Sequence, residues 1–174
     1  MIRVDVANEQ ARHEVDRPRL CAAIDAVLRA EGISTATISL AIVDDTNMQA
    51  LNRRWLSHDY PTDVLSFVLE QSTESLEGEI IVSADTAAAA AERFDWSVGD
   101  EMLLYVIHGA LHLVGYDDRE PADRDKMRQR ECEFLGRFGL APRYDEAHAP
   151  GITPRPRDAM EKTAVGKTVE GSKP

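Results

Sequence analysis

The sequence predicts a single α+β domain in which a small, mostly four-stranded sheet packs against helices. Three observations lead to this fold class. Four short segments are rich in β-branched and apolar residues, and stretches with helical periodicity occur between and after them. The chain has 174 residues, which is enough for one domain with a sizeable core. No internal repeat is visible, so one domain is the simplest organisation.

The first two predicted strands flank a helix. Residues 2–7, IRVDVA, and residues 36–44, ATISLAIVD, have the pattern of half-buried strands. Between them, Pro18 stands in the first turn of a helix that runs to about Glu31. Gly32 follows, and glycine readily adopts the left-handed conformation with which helices often end. This part of the chain therefore predicts strand, helix and strand.

A second helix is predicted to begin at Asp45, whose side chain would cap its first turn. Met48, Leu51 and Trp55 then recur at helical spacing. The polar segment LSHDYPTD at residues 56–63 follows and predicts a loop.

The second half of the chain supplies two more strands and three more helices. Residues 64–70 and 78–84 are β-rich, lie on either side of the acidic turn STESLEG, and are expected to pair. The alanine-rich residues 83–94 predict a helix, and the apolar run EMLLYVI leads into a buried one. Pro121 stands in the first turn of a last amphipathic helix, which is expected to end near residue 138.

The most informative stretch of the sequence is HGALHLVGYDD, at residues 108–118. His108 and His112 are one helical turn apart, so both imidazoles lie on the same side of the helix. The two residues are separated by roughly 6 Å along the helix axis. Gly115 lets the backbone reverse, so that the side chain of Asp118 can approach the two rings. Three protein ligands with a fourth position left for water are typical of catalytic zinc. The spacing therefore predicts a metal site formed by His108, His112 and Asp118.

Other interpretations of the motif are weaker. A pair of histidines at this spacing also occurs in helices that bind no metal, and only the added glycine and carboxylate favour a metal site. Bound zinc lowers the pKa of its water to about 7, which points to hydrolysis. Zinc proteases with this helix carry HExxH, in which the glutamate is the general base, whereas this chain has Gly109 at that position. Two histidines and a carboxylate also suit iron oxygenases, but no other feature supports oxygen chemistry.

Charge and hydropathy restrict the possible partners and location. The net charge of −11 argues against a protein that coats nucleic acid through bulk electrostatics, so any such contact must be local. No apolar run approaches the roughly twenty residues of a membrane span, and the N-terminus lacks a signal-peptide core. We therefore expect a cytoplasmic protein with no membrane partner.

The composition changes near the end of the chain. From Pro150 onward, Pro, Gly, Thr and Lys dominate without apolar periodicity, which is typical of a disordered segment. We therefore expect one domain over residues 1–148 and a disordered tail over residues 149–174.

The motif resembles a known family. HGALHLVGYDD is similar to the signature HGxLHLxGYDH of the bacterial rRNA maturation factor family YbeY, whose members are metal-dependent endoribonucleases. The resemblance extends over about residues 35–138. Further matching pieces are Leu51 with Asn52, PTDVLSF at residues 61–67, GEI from Gly78, and Met127 with Glu131.

The resemblance implies an α+β domain with a small sheet against helices. It also implies a nuclease that uses one zinc ion, or another divalent metal, and acts on single-stranded RNA rather than DNA. The expected role is 3′-end maturation of 16S rRNA and ribosome quality control, with the small ribosomal subunit as partner. His108, His112 and Asp118 match the positions of the metal ligands.

Two positions depart from the family pattern. The family's third ligand is histidine, whereas this chain has Asp118, which can also bind zinc. The family's active-site arginine corresponds to Leu56. Arg53 or Arg54, on the same predicted helix, could contact the phosphate instead, because a guanidinium suits a developing negative charge.

Both departures would also suit a protein that does not catalyse. In that alternative, the chain is an rRNA-binding or ribosome-assembly factor whose metal is structural or absent. Arg124 and Arg128 share a helical face just beyond the motif and could guide RNA. The acidic residues among them predict equally well a surface helix stabilised by salt bridges.

Overall fold

The computed structural model describes residues 1–141, which form a mixed α+β domain with four strands and five helices, as the sequence predicts. The predicted domain boundary at residue 148 and the tail that follows it lie outside the described residues. No helix in the described part is both long and apolar enough to cross a bilayer. The elements are β1 Ile2–Asn8, α1 Arg17–Ala30, β2 Thr35–Val43, α2 Asp45–Leu56, β3 Val64–Gln71, β4 Ser75–Ser83, α3 Ala84–Phe94, α4 Val98–Leu113 and α5 Pro121–Gly136.

The four strands form one sheet in the order β1-β2-β4-β3. β1 pairs in parallel with β2, and β2 pairs in parallel with β4. β3 is antiparallel to β4, with Leu65 opposite Ile81, which confirms the pairing expected for these two runs. The connecting turn is shorter than the sequence suggests, because β4 already begins at Ser75. The backbone N–H of Ser72 closes the turn by donating a hydrogen bond to the backbone carbonyl of Ser75.

The main core lies on one face of the sheet, where α4 is the central helix. Twelve of its sixteen residues are buried, which explains why the sequence shows a continuously apolar run here rather than an amphipathic stripe. The helix lies close to the sheet at Gly109, where a Cβ atom would be 2.8 Å from Cγ2 of Ile80 and 2.9 Å from Oγ of Ser66. Glycine at this position therefore allows α4 to approach β3 and β4 closely.

The other face of the sheet is covered in part by α2. Neighbouring residues of a strand point to opposite faces. Val64 belongs to the main core with α4, whereas the next residue, Leu65, packs in a separate small cluster with Met48 of α2. It follows that α2 and α4 lie on opposite faces of the sheet.

The N-terminus of α2 differs from the sequence prediction by one residue. Asp44, not Asp45, is the capping residue, and its carboxylate accepts a hydrogen bond from the Asn47 amide at 2.8 Å. Asp45 is already helical, and its carboxylate accepts hydrogen bonds from the hydroxyls of Ser83 and Thr86. Two adjacent aspartates cannot be ranked as caps from sequence, because the choice depends on the backbone angles at the end of β2 and on these tertiary partners.

Candidate metal centre

The C-terminal end of α4 brings the two motif histidines together. The Nε2 atoms of His108 and His112 lie 2.9 Å apart, and their rings meet edge to face. His108 is almost completely buried, and the side chain of His112 is only slightly more exposed. The helical spacing in the sequence therefore predicts the observed pairing correctly.

The backbone reversal that follows α4 brings Asp118 to the same point. Gly115 has a positive φ of +98°, as expected from its position in the motif. The Asp118 carboxylate oxygens lie 3.6 Å from Nε2 of His108 and 3.8 Å from Nε2 of His112. Within residues 1–141, Oδ1 of Asp118 is buried without a hydrogen-bond partner. Three potential ligand atoms thus converge within 4.8 Å of one another.

The outer nitrogen of each histidine has its own partner. Nδ1 of His108 lies 2.5 Å from Oε1 of Glu131 in α5. Nδ1 of His112 lies 3.0 Å from the backbone carbonyl oxygen of Tyr116. These contacts fix the ring orientations and point both Nε2 atoms toward the shared centre, an arrangement that metal-binding histidines commonly have.

The loop that carries Asp118 is anchored to two helices. The Tyr116 hydroxyl donates to Glu31 at the end of α1 at 3.2 Å, and Glu31 forms an ion pair with Arg130 of α5. Nε of Arg124 donates to the backbone carbonyl of Asp118 at 3.1 Å. Arg130 is therefore held by an ion pair, as expected for a surface helix stabilised by salt bridges, and Arg124 is held by a backbone carbonyl.

Burial and charge determine the protonation of the centre. Burial alone would lower the pKa of His108, but the hydrogen bond and charge of Glu131 outweigh it, so this pKa is raised. Burial and the neighbouring His108 lower the pKa of His112 to about 3. Burial also raises the pKa of Asp118, His108 opposes that shift, and the carboxylates of Asp117 and Asp63 add to it.

The donor set fits a small divalent cation. Two nitrogens bound to tetrahedral zinc at about 2.0–2.1 Å lie roughly 3.3 Å apart, so the rings need to separate by only a few tenths of an ångström. The buried Asp118 oxygen without a hydrogen-bond partner is the third candidate ligand atom. Two imidazoles and a carboxylate suit zinc and other divalent metals, so the donor set does not select one ion.

The structure also explains why the motif lacks the protease glutamate. The position that HExxH proteins use for their general base is Gly109, and a side chain there would collide with Ile80 and Ser66. A carboxylate on this residue is therefore incompatible with the packing of α4 on the sheet. A zinc protease would therefore lack its general base here, because the packing leaves no room for a glutamate at this position.

Arg53 and Arg54 are not brought to the three ligands. Both are exposed near the end of α2, on the other face of the sheet from α4. Arg53 lies 3.8 Å from Asp59, and the guanidinium of Arg54 lies over the ring of Trp55. Neither makes a hydrogen bond or ion pair with the metal centre in the described part of the chain, so their role as phosphate contacts remains a prediction.

Sequence reasoning did not assign a role to Glu131. In α5, Met127, Glu131, Phe134 and Leu135 are all buried. A carboxylate among apolar residues at helical spacing was the available signal, because a buried charge needs a partner. The sequence did not show that the partner would be His108, because the two residues are 23 positions apart.

The fold and the converging ligand atoms define a class: a small α+β protein with a buried two-histidine, one-carboxylate candidate metal centre. The family model described as "Endoribonuclease YbeY" matches residues 5–139. A relative from Salinibacter ruber with that name is 42% identical over 147 residues, covering 80% of this chain and 94% of the relative. Another from Rhodopirellula baltica is 39% identical, covering 79% of this chain and 73% of the relative.

A solved structure agrees with these matches. The solution structure of a Thermotoga maritima protein aligns with a TM-score of 0.52 and 25% identity, covering 86% of this chain and all of the other. The chain belongs to the Endoribonuclease YbeY family. This confirms the family resemblance drawn from the metal motif.

Proposed function

We propose that this protein is a metal-dependent endoribonuclease that cuts single-stranded RNA during 3′-end maturation of 16S rRNA and in ribosome quality control. The observation that carries the proposal is the convergence of His108, His112 and Asp118 in a chain of this family. Its setting would be the cytoplasm, with the small ribosomal subunit as partner.

In the proposed site, His108, His112 and Asp118 hold one divalent ion, for which zinc is the first candidate. Such an ion would supply a bound water with a pKa near 7 and polarise a phosphoryl oxygen. Glu131 keeps the His108 ring oriented, and the Tyr116 carbonyl does the same for His112. Because these partners are already in place, the ligands need little rearrangement.

Positive charge near the cleaved strand is proposed to come from α2. Arg53 and Arg54 are the candidates for phosphate contacts, since Leu56 occupies the position of the family's arginine. Both guanidinium groups are exposed, so an RNA backbone can reach them. If Arg53→Ala and Arg54→Ala each leave the rate of RNA cleavage unchanged, this assignment is wrong.

The decisive experiment measures metal content and cleavage together. Purified parent protein should contain about one zinc per chain, and both His112→Ala and Asp118→Ala should lose it, because catalytic zinc needs three protein ligands. Cleavage of a single-stranded rRNA fragment should disappear with chelator and return with added zinc. His13→Gln and Asp123→Asn, which change the same residue types outside the centre, are the matched controls.

The competing function is a non-catalytic assembly factor, which the departures at Asp118 and Leu56 favour. Such a protein would bind rRNA without cutting it at any metal loading. Chelation would then change stability without affecting an activity. Zinc retained by Asp118→Ala would show that Asp118 is not a ligand.

A further inference from the structure

The exposed large apolar side chains of the described residues occur mainly in one segment of the chain. Apart from the N-terminal Met1, they are Trp55, Tyr60 and Leu69, which are 48%, 55% and 62% exposed. These residues lie at the end of α2, in the following loop and on β3. Exposed large apolar side chains grouped in one segment of the chain indicate a candidate binding surface.

The aromatic rings in this region form two ordered pairs. The Trp55 and Phe67 rings have centroids 6.2 Å apart, and the guanidinium of Arg54 lies 5.1 Å from the Trp55 centroid. The rings of His58 and Tyr60 are stacked, with centroids 5.3 Å apart and an interplanar angle of 12°. Flat rings beside a cation match the groups on which unpaired nucleobases stack.

The loop that carries His58 and Tyr60 is anchored to α2 by a hydrogen bond. Asn52, which is 1% exposed, donates through Nδ2 to the backbone carbonyl of Tyr60 at 2.8 Å. α2 ends at Leu56, and the next residue, Ser57, adopts a left-handed conformation that turns the chain away from the helix. The backbone is thus anchored while the Tyr60 ring stays exposed, so little ordering is needed when a ligand binds.

Local charge favours a nucleic acid over an apolar protein surface as the occupant. The chain as a whole carries a net charge of −11, yet Arg53 and Arg54 are adjacent to Trp55, with Asp59 in the following loop and Glu79 opposite Phe67 as the nearby acids. Asp59 pairs with Arg53 at 3.8 Å, and Arg54 has no ion-pair partner within residues 1–141. A free guanidinium stacked on an indole can contact a phosphate while the ring contacts a base.

The loop that carries Tyr60 continues into Asp63, whose charge influences the metal centre. Tyr60 is three residues before Asp63, which limits the separation of their Cα atoms to about 11 Å. Asp63 is buried, and its charge acts on both His108 and Asp118, although burial is the larger influence on each. The loop that carries Tyr60 therefore leads into a buried residue whose charge acts on the metal centre, whereas the Trp55 and Phe67 rings lie on the α2 face of the sheet.

We propose that Trp55, Phe67, His58 and Tyr60, together with Arg54, form a stacking surface that binds unpaired bases of the RNA substrate. This inference rests on the proposed function, because it names how that site holds its substrate. It adds a binding subsite made of side chains that do not touch the metal ligands.

Fluorescence of Trp55 provides a direct test. In a Trp96→Phe background, Trp55 is the remaining tryptophan. A short single-stranded RNA oligonucleotide should quench its emission, whereas an abasic ribose-phosphate oligomer of the same length should not. Binding is measured at fixed salt, with and without chelator, and cleavage is measured separately.

Substitutions separate stacking from other contacts. Trp55→Ala and Tyr60→Ala should each weaken RNA binding about tenfold or more, since stacking of one base typically contributes that much. Trp55→Phe and Tyr60→Phe keep a ring and should retain most of the affinity. Leu69→Ser is the control, because it removes an exposed apolar side chain that cannot stack. Circular dichroism checks that each variant is folded.

Three results would overturn the stacking surface: quenching by the abasic oligomer equal to that by RNA, unchanged affinity in both alanine variants, or a loss in Leu69→Ser as large as in Tyr60→Ala. The third would instead indicate an apolar docking face for a protein. Binding with quenching but without cleavage would contradict only the proposed function. Cleavage without quenching would contradict only the stacking surface.

Discussion

The two halves of α4 bury ionisable side chains in different ways. In the C-terminal half, His108 and His112 each have a partner for their outer nitrogen, and their inner nitrogens face one centre. In the N-terminal half, Glu101 is only 3% exposed and lies one turn from Tyr105. The Tyr105 hydroxyl is buried and, within the described residues, no acceptor or donor meets the usual distance and angle limits of a hydrogen bond to it. Partnered groups that converge indicate a site, whereas burial of a carboxylate that lacks an ion-pair partner in the described residues raises its pKa.

The pKa of Glu101 shows this difference. Burial raises it to about 7, the Tyr105 hydroxyl opposes the rise, and the nearby charge of Asp63 adds to it. The folded state therefore holds a proton on Glu101 in a pH range where the unfolded chain has already released it. By contrast, burial lowers the pKa of His108, but the hydrogen bond and charge of Glu131 outweigh it and raise that pKa.

Among changes in α4, the largest effect on stability is expected at Gly109, where the helix packs closely on the sheet. Gly109→Ala should lower the free energy of unfolding by about 3 kcal/mol, because its Cβ would overlap atoms of Ile80 and Ser66. Displacement of the helix should also weaken zinc binding. Urea unfolding and zinc titration measure the two effects.

The control for Gly109→Ala lies on the same helix. The nearest atom that a Cβ at Gly99 would meet is the Ser97 hydroxyl at 3.8 Å, so Gly99→Ala should be neutral or stabilising by up to about 1 kcal/mol. Equal unfolding midpoints for the two variants would contradict the close-packing explanation.

The next effect concerns the N-terminal half of α4. Because the pKa of Glu101 is higher in the folded state, stability should fall as pH rises from about 4.5 to 7 and stay low above that. Glu101→Gln removes the charge and should raise the free energy of unfolding at pH 8 by about 2 kcal/mol, since a shift of one pKa unit corresponds to about 1.4 kcal/mol.

The neighbouring Asp100 provides a control of opposite sign. Hydrogen bonds from Ser97 and Arg19 outweigh burial and lower its pKa, so its charged form stabilises the fold. Asp100→Asn should therefore destabilise the protein at neutral pH and have less effect at low pH. If unfolding by urea at pH 5 and pH 8 gives Glu101→Gln the same difference from the parent, Glu101 does not titrate as described.

The smallest of the three effects is expected at Glu131, whose carboxylate contacts the outer nitrogen of His108 in the C-terminal half of α4. Glu131→Gln keeps the shape but loses the charge opposite His108, and zinc affinity should fall about tenfold, as for other changes of this kind. Competition with a chromophoric chelator gives the dissociation constant. Glu133→Gln, on the same helix and away from the centre, should leave it unchanged, and an equal loss there would contradict a specific role for Glu131.

Much of the site could be predicted because its ligands are local in sequence. Helical spacing predicts that His108 and His112 share a face, and Gly115 in the motif predicts the turn that returns Asp118. The partner of His108 could not be predicted in this way, since Glu131 reaches it only when α5 packs against α4. The placement of Arg53 and Arg54 could not be predicted either, because it depends on which face of the sheet α2 covers.

The sequence by itself determined the order of strands and helices, the three candidate ligands and the family, because periodicity and motif spacing are properties of neighbouring residues. Only the tertiary structure decided the strand order β1-β2-β4-β3, the close contact at Gly109 and the partners that orient each histidine. These features depend on packing between residues that are distant in sequence. Several packings of the same strands and helices are compatible with the local sequence pattern. Steric fit and burial between distant residues select one of them.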